Sequence, residues 1–285
     1  MLLDTHTHTN YSDGLDDLKT VVSKAASMKM SLMSITDHDR VMAYPEAIRL
    51  GERYGIKMIP GVEITTKDED DCSCVHIVGL GIDTGSHVAS VLERSVKAQE
   101  DANRGFLDNM NAFMARKYAG WISTESMKPS IFHNTIINAR NQGIEITEKE
   151  MMDVILNRDL WVPIEFEITI EEAVSYIKNW GGVPVLAHPF DFSNNPSVLL
   201  KRFVSAGGEA VEICKYRYKV RTAALSKVPK EELLIKEREM NLWTIEQAKK
   251  HGLKITMASD RHDDSRVMGM DPDEYEIDTA WLYEL

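Results

Sequence analysis

Positive charge is the first shortage in this chain: 33 Lys and Arg stand against 45 Asp and Glu, a formal net charge of −12 over 285 residues. A broad phosphate-binding surface for long nucleic acid is therefore not expected, although a local pocket or bound metal ions could still hold one phosphate. Long apolar runs are also missing. No stretch approaches the roughly 18 residues of a membrane-spanning helix, and Met1-Leu2-Leu3-Asp4-Thr5-His6 carries neither a charged leader nor a cleavage-type segment. A cytoplasmic protein without a membrane partner is the expectation. Cysteine is scarce, at 3 residues. The single-residue spacing of Cys72 and Cys74 fits neither a zinc hairpin nor a redox pair, and Cys214 lies in an apolar run, so all are read as unligated thiols. Internal repeats and low-complexity linkers are absent too.

Apolar residues are plentiful enough, at 43%, for one large core. They fall in short runs alternating with amphipathic stretches, the pattern of parallel strands joined by crossover helices. Seven strands are predicted: Leu2–Asp4, Leu32–Thr36, Lys57–Glu63, Val75–Gly81, Val183–Ala187, Ala210–Ile213 and Lys254–Ser259. Helices over Leu15–Met28, Pro45–Tyr54 and Leu242–His251 lie between them. Thr169 and Glu172 stand at capping-box spacing before another helix, which Gly181-Gly182 stops. The alternation fails between about 95 and 165. There a helical run from Val88 to Lys117 leads through Trp121 and Lys128-Pro129 to a helix capped by Thr147 and Glu150. The expected organisation is a distorted α/β barrel of seven strand–helix units over 1–95 and 165–285, with a mainly helical insertion over 96–164 standing above one end as a lid. The acidic stretch 68–71 reads as the solvated tip of a connection.

Against this frame, imidazoles and carboxylates cluster after strands. His6 and His8 alternate just beyond the first strand, so in extended backbone both rings face one side and can chelate one ion. Asp37 and His38 follow the second strand, Glu63 ends the third, His188 follows the fifth, and Asp260 and His262 follow the seventh. In a barrel these ends meet around one axis. His76 is the exception, lying at the start of its run, where a lone histidine is ordinarily a core or edge residue. Asp13, in Ser-Asp-Gly, is equally an ordinary turn residue. His251 suits a helix C-terminus and His87 a helix start. A nitrogen and oxygen donor set without thiolate suits zinc, manganese or iron.

The set His6-x-His8 with Asp13-Gly14, Thr36-Asp37-His38-Asp39, Gly61-Val62-Glu63, His76, Leu186-Ala187-His188-Pro189 and Ser259-Asp260-x-His262 resembles the PHP (polymerase and histidinol phosphatase) family, in its stand-alone form with a helical insertion. The resemblance implies a distorted barrel carrying three divalent ions, Mn, Fe or Zn. The first ion would take His6, His8, Glu63 and Asp260, the second Glu63, His76 and His188, and the third Asp13, His38 and His262. Glu63, Asp260 and His188 would be the catalytic core, with Glu63 bridging two ions. Asp37 is expected to orient the neighbouring His38 ring.

The implied activity is hydrolysis of small phosphate esters, nucleotide or sugar phosphates, by a metal-bound hydroxide on a trinuclear centre. Alternatives within the family are a histidinol-phosphate phosphatase and a 5′–3′ exonuclease on short oligonucleotides. A non-catalytic polymerase-accessory module and an amidohydrolase-type carbon–nitrogen hydrolase are the other classes. The resemblance also implies an arginine-bearing helix, matched by Arg104, and a glycine-arginine-proline-histidine element. The latter reads Ser130-Ile131-Phe132-His133 here, keeping the histidine and losing the arginine, so either a different leaving group or a different basic residue, such as Arg140 or Arg158, is expected. Arg104, His133 and Arg140 are the substrate-binding candidates. The sequence says nothing of oligomeric state.

Overall fold

The computed structural model describes residues 1–285 apart from 70–71, 128–130, 192–194 and 220–224, and apart from the side chain of His133. The expectations for Lys128-Pro129, for Ser130, for part of the acidic stretch 68–71 and for the His133 side chain thus lie outside the described residues. The chain forms two compact units, Met1–Glu93 with Ile168–Leu285, and Arg94–Glu167.

The first unit is a seven-stranded sheet in sequence order, nearly closed into a barrel. Its strands are β1 (Leu3–Thr7), β2 (Leu32–Ile35), β3 (Lys57–Thr65), β4 (His76–Leu80), β5 (Val183–Leu186), β6 (Ala210–Cys214) and β7 (Lys254–Ala258). Helices α1 (Leu18–Ser27) and α2 (Glu46–Tyr54) connect the first three strands. Helix α3 (Ser86–Lys117) leaves this unit and continues in the second, which also holds α4 (Ile131–Asn141) and α5 (Glu148–Ile155). The chain returns through α6 (Ile170–Asn179), and α7 (Pro196–Ser205) and α8 (Leu233–His251) link the last strands. Strands β1, β2, β5 and β6 are buried at every position; β2 and β5 read as nearly continuous apolar runs, whereas β1 buries Asp4, Thr5, His6 and Thr7 and β6 buries Glu212. No described helix is long and apolar enough to cross a membrane.

The sheet corrects the all-parallel reading. β1, β2 and β3 pair parallel, as do β5, β6 and β7, but β4 is antiparallel to both neighbours. The 66–75 connection explains it, being shorter than the dozen or more residues a parallel crossover requires. The barrel closes between β1 and the turn after β7, where Asp260 N donates to His6 O at 3.1 Å and His8 N to Arg261 O at 2.9 Å. Buried Asp4 reinforces the closure by accepting from Ser259 N at 3.0 Å and Gly269 N at 2.8 Å.

Helix ends follow local sequence. Thr169 with Glu172 and Thr147 with Glu150 both form complete capping boxes. His251 ends α8 ahead of left-handed Gly252. α8 begins well before the expected Leu242, and α4 and α7 escaped the periodicity reading. The second unit has its own core, built on Phe106, Met110, Met114, Met151, Val154 and Leu160.

One side chain repairs a fault in the first half of the sheet. Pro60 brings no N–H to the β2–β3 ladder. The buried Tyr44 hydroxyl fills that place, accepting from Gly61 N at 3.1 Å and Ile35 N at 3.2 Å and lying 2.8 Å from Ile59 O. Tyr44→Phe removes this hub and leaves buried amides unpaired. It should lower the unfolding free energy by about 1–3 kcal/mol in a denaturant titration, and a loss within error would show that the hydroxyl is dispensable.

Candidate metal centre

All seven strands deliver polar side chains to one end of the barrel. His6 lies within β1 and His8 just past it; Asp37 and His38 follow β2; Glu63 is in β3; His188 follows β5; Glu212 is in β6; Asp260 and His262 follow β7. The antiparallel turn of β4 resolves the His76 exception. Running the opposite way, β4 begins where the parallel strands end, and His76 pairs with Thr65, two residues beyond Glu63. Three non-glycine residues at these strand ends, Asp39, His188 and Asp260, adopt positive φ of 50°, 23° and 49°. Such backbone is uncommon outside glycine and recurs where a site dictates side-chain direction.

Glu63 is the centre of the arrangement. Its Oε2 lies 3.0 Å from His6 Nε2, 3.2 Å from His8 Nε2 and 3.3 Å from His38 Nε2. Its Oε1 lies 3.0 Å from both His76 Nδ1 and His188 Nε2. Asp260 Oδ1 joins from the other side, 3.1 Å from His8 Nε2 and 3.6 Å from His6 Nε2. At the mouth, partly exposed Asp13 faces His262 Nε2 at 3.1 Å, His8 Nδ1 at 3.5 Å and His38 Nε2 at 3.8 Å. His8 thus faces both groups and His38 faces Glu63 as well as Asp13, so sharing extends beyond the Glu63 bridge expected between the first two ligand sets.

These residues fit divalent ions on three observations. The Nε2 atoms of His6 and His8 lie 3.0 Å apart, so two imidazole nitrogens face each other and require a proton or cation between them. The contacts among His6, His8, Glu63 and Asp260, 3.0–3.6 Å, come within a few tenths of the roughly 3.3–3.6 Å edge of a tetrahedron with arms of 2.0–2.2 Å. Glu63 Oε2, His8 Nδ1 and His76 Nδ1 are buried without a hydrogen-bond partner. The far side of several rings is meanwhile anchored. His6 Nδ1 donates to Glu212 at 3.0 Å, His188 Nδ1 to Asp191 at 3.1 Å and His262 Nδ1 to the Asp260 carbonyl at 3.0 Å, which turns each Nε2 lone pair inward.

The electrostatics agree. Burial works against the charge on Glu63, yet the His38, His6 and His76 rings hold its pKa well below the usual carboxylate range. Burial likewise opposes protonation of His8, but the adjacent Asp260 and Glu63 carboxylates push it up to about 10. His38 goes the other way, to about 3, because burial outweighs the pull of Glu63. The carboxylates around His6 and His8 thus favour positive charge where the two ring nitrogens face each other.

Several functional neighbours are not among the residues singled out from sequence. Glu212 holds His6 and also accepts from His188 N at 3.0 Å. Its signal was a lone acid in the fully buried strand Ala-Val-Glu-Ile-Cys. Asp191 holds His188, and buried Arg261 ties the β7 turn to Asp16 and, at 2.8 Å, to Asp264. Asp37 corrects an expectation: it accepts from Thr9 N and Thr9 Oγ1, both at 2.7 Å, and from Ser12 Oγ at 2.8 Å, so it shapes the loop before Asp13 rather than the His38 ring. His38 Nδ1 instead meets Thr65 Oγ1 at 3.3 Å. Arg104, Arg140 and Arg158 are exposed on the second unit.

The PHP domain signature matches residues 4–155. The chain is 31% identical over 231 residues to the 5′-3′ exoribonuclease Rnm of Salmonella typhimurium, covering 75% of each. It is 27% identical over 208 residues to the phosphoribosyl 1,2-cyclic phosphate 1,2-diphosphodiesterase of Eggerthella lenta, covering 66% of this chain and 74% of that one. A Bifidobacterium adolescentis structure provisionally described as a metal-dependent phosphoesterase shares the fold, with a TM-score of 0.63 at 23% identity over 96% of this chain and 94% of that one. The fold and site define a metal-dependent phosphoesterase. The chain belongs to the PHP family.

If Glu212 sets the His6 ring, Glu212→Gln should weaken divalent-metal affinity on the order of 10–100-fold in a chelator competition titration. Unchanged affinity would reduce Glu212 to a barrel-packing residue.

Proposed function

We propose that this protein hydrolyses small phosphate esters, nucleotide or sugar phosphates, at a centre of three divalent ions held by His6, His8, Asp13, His38, Glu63, His76, His188, Asp260 and His262. The observation that carries this reading is the Glu63 carboxylate with five imidazole nitrogens at 3.0–3.3 Å, divided between its two oxygens as a bridging ligand requires. Manganese, iron or zinc would suit the donor set, and when bound would make water nucleophilic near neutral pH and neutralise charge on the phosphoryl oxygens. The protein's part is positional. Glu212 and Asp191 fix the His6 and His188 rings from behind. Asp37 holds the loop that brings Asp13 to the mouth, where its side chain is 48% exposed and accessible to an arriving ester.

The charge of −12 supports a small substrate, because a long strand would meet repulsion where it needs several distributed cationic contacts. The 31% identity to an exoribonuclease supports a second reading, stepwise hydrolysis from an oligonucleotide end. A phosphate-release panel with manganese, spanning nucleoside mono- and bisphosphates, ribose cyclic phosphates, histidinol phosphate and oligonucleotides of increasing length, separates the two. Efficiency should be greatest on a small ester and flat with oligonucleotide length. A steady rise with length would replace this reading with the exonuclease.

Glu63→Gln should lower metal content and abolish turnover, since the bridge loses its charge; wild-type activity in that variant would place the chemistry elsewhere. The family resemblance supports substrate binding by Arg104 and His133, and Arg140 is the candidate for the arginine missing beside His133. Arg104→Ala should raise KM or lower kcat while metal content and Tm stay as in the parent. Unaltered kinetics would make Arg104 an ordinary surface residue.

A further inference from the structure

Behind Asp260 lies a cation that the reaction described so far does not use. Lys219 is 5% exposed, and its Nζ contacts Asp191 Oδ2 and, at 2.6 Å, Asp260 Oδ2. Asp191 Oδ2 also takes the Nδ1 proton of His188 at 3.1 Å, while Asp191 Oδ1 is buried without a hydrogen-bond partner. His188, Asp191 and Asp260 offer ligand atoms within 4.8 Å of one another, the spacing of a metal-binding group. The two carboxylates and the amine come from three different strand ends, β5, β6 and β7.

We infer that Asp191 and Asp260 form a further cation position beside the metal centre, and that the tethered ammonium of Lys219 fills it in place of an ion. This rests on the metal-centre reading above. An ammonium is a compact point charge with three donors, so it can take the place of a small cation between carboxylate oxygens. It is covalently tethered, so it needs no free metal and excludes one. With Oδ2 held by Lys219, and by Arg266 Nη1 at 2.7 Å, Asp260 has only Oδ1 to offer His6 and His8. The lysine thereby caps the number of ions the centre accepts and restricts Asp260 to single-oxygen ligation.

The test is a metal count on the full-length protein, loaded with manganese, desalted and measured by elemental analysis. Lys219→Ala removes the ammonium and opens its space, and should retain one more equivalent of manganese than the parent. Lys219→Arg keeps a cation there and should match the parent. An alanine variant, folded by circular dichroism, that holds the parent's number of ions or fewer overturns the inference. Should that variant not fold, Asp191→Asn decides, since it leaves Lys219 on Asp260 and an amide oxygen for His188. A parent-like count supports the lysine as occupant, and loss of one equivalent overturns it by making Asp191 a ligand of a resident ion. A parent protein that holds no manganese at all instead refutes the metal-centre reading, so the two failures are distinct.

Discussion

A fully buried carboxylate cannot remain ionised without compensating positive charge, and Glu63 imposes that requirement on everything around it. Two imidazoles approach one oxygen and three the other, so no single proton satisfies the group, and divalent ions on both sides would. The surrounding shell reads as its consequence. Glu212, Asp191 and the Asp260 carbonyl each take an Nδ1 proton, leaving the inward Nε2 atoms as donors to a cation. The positive φ values at His188 and Asp260 show the backbone bent to the same end.

The sheet is arranged so that this convergence is possible. A regular parallel barrel would place the start of the fourth strand at the end opposite Glu63; the β3–β4 antiparallel pair places His76 beside it. Closure through Asp4 and the His6 and His8 backbone then brings the two ends of the chain together, so residues more than 250 positions apart share one cluster. The insertion after β4 has a hydrophobic core of its own.

The sequence made the metal-ligand candidates legible because histidines and acids stood in short motifs directly after apolar runs. It located all seven strands because each overlaps or adjoins a short apolar run, although β1 itself is mostly polar. What it concealed depends on three-dimensional partners. His76 looked misplaced because strand direction is set by the connection before it. Asp37 looked like the partner of its neighbour His38, yet adjacent residues on an extended chain point apart, and it turned to Thr9 and Ser12. Asp191 and Lys219 lie in irregular segments with no periodicity to mark them, and Glu212 was visible only as one polar residue in a buried strand. α7 carries a start signal, Asn195 as N-cap ahead of Pro196, that differs from the capping boxes which identified α5 and α6.

Anomalous diffraction from manganese-soaked crystals tests the central claim most directly. The account predicts three peaks at the mouth of the barrel, two of them sharing Glu63 as a ligand and the third beside Asp13 and His262. A single peak, or peaks that leave the Glu63 carboxylate uncoordinated, would contradict it.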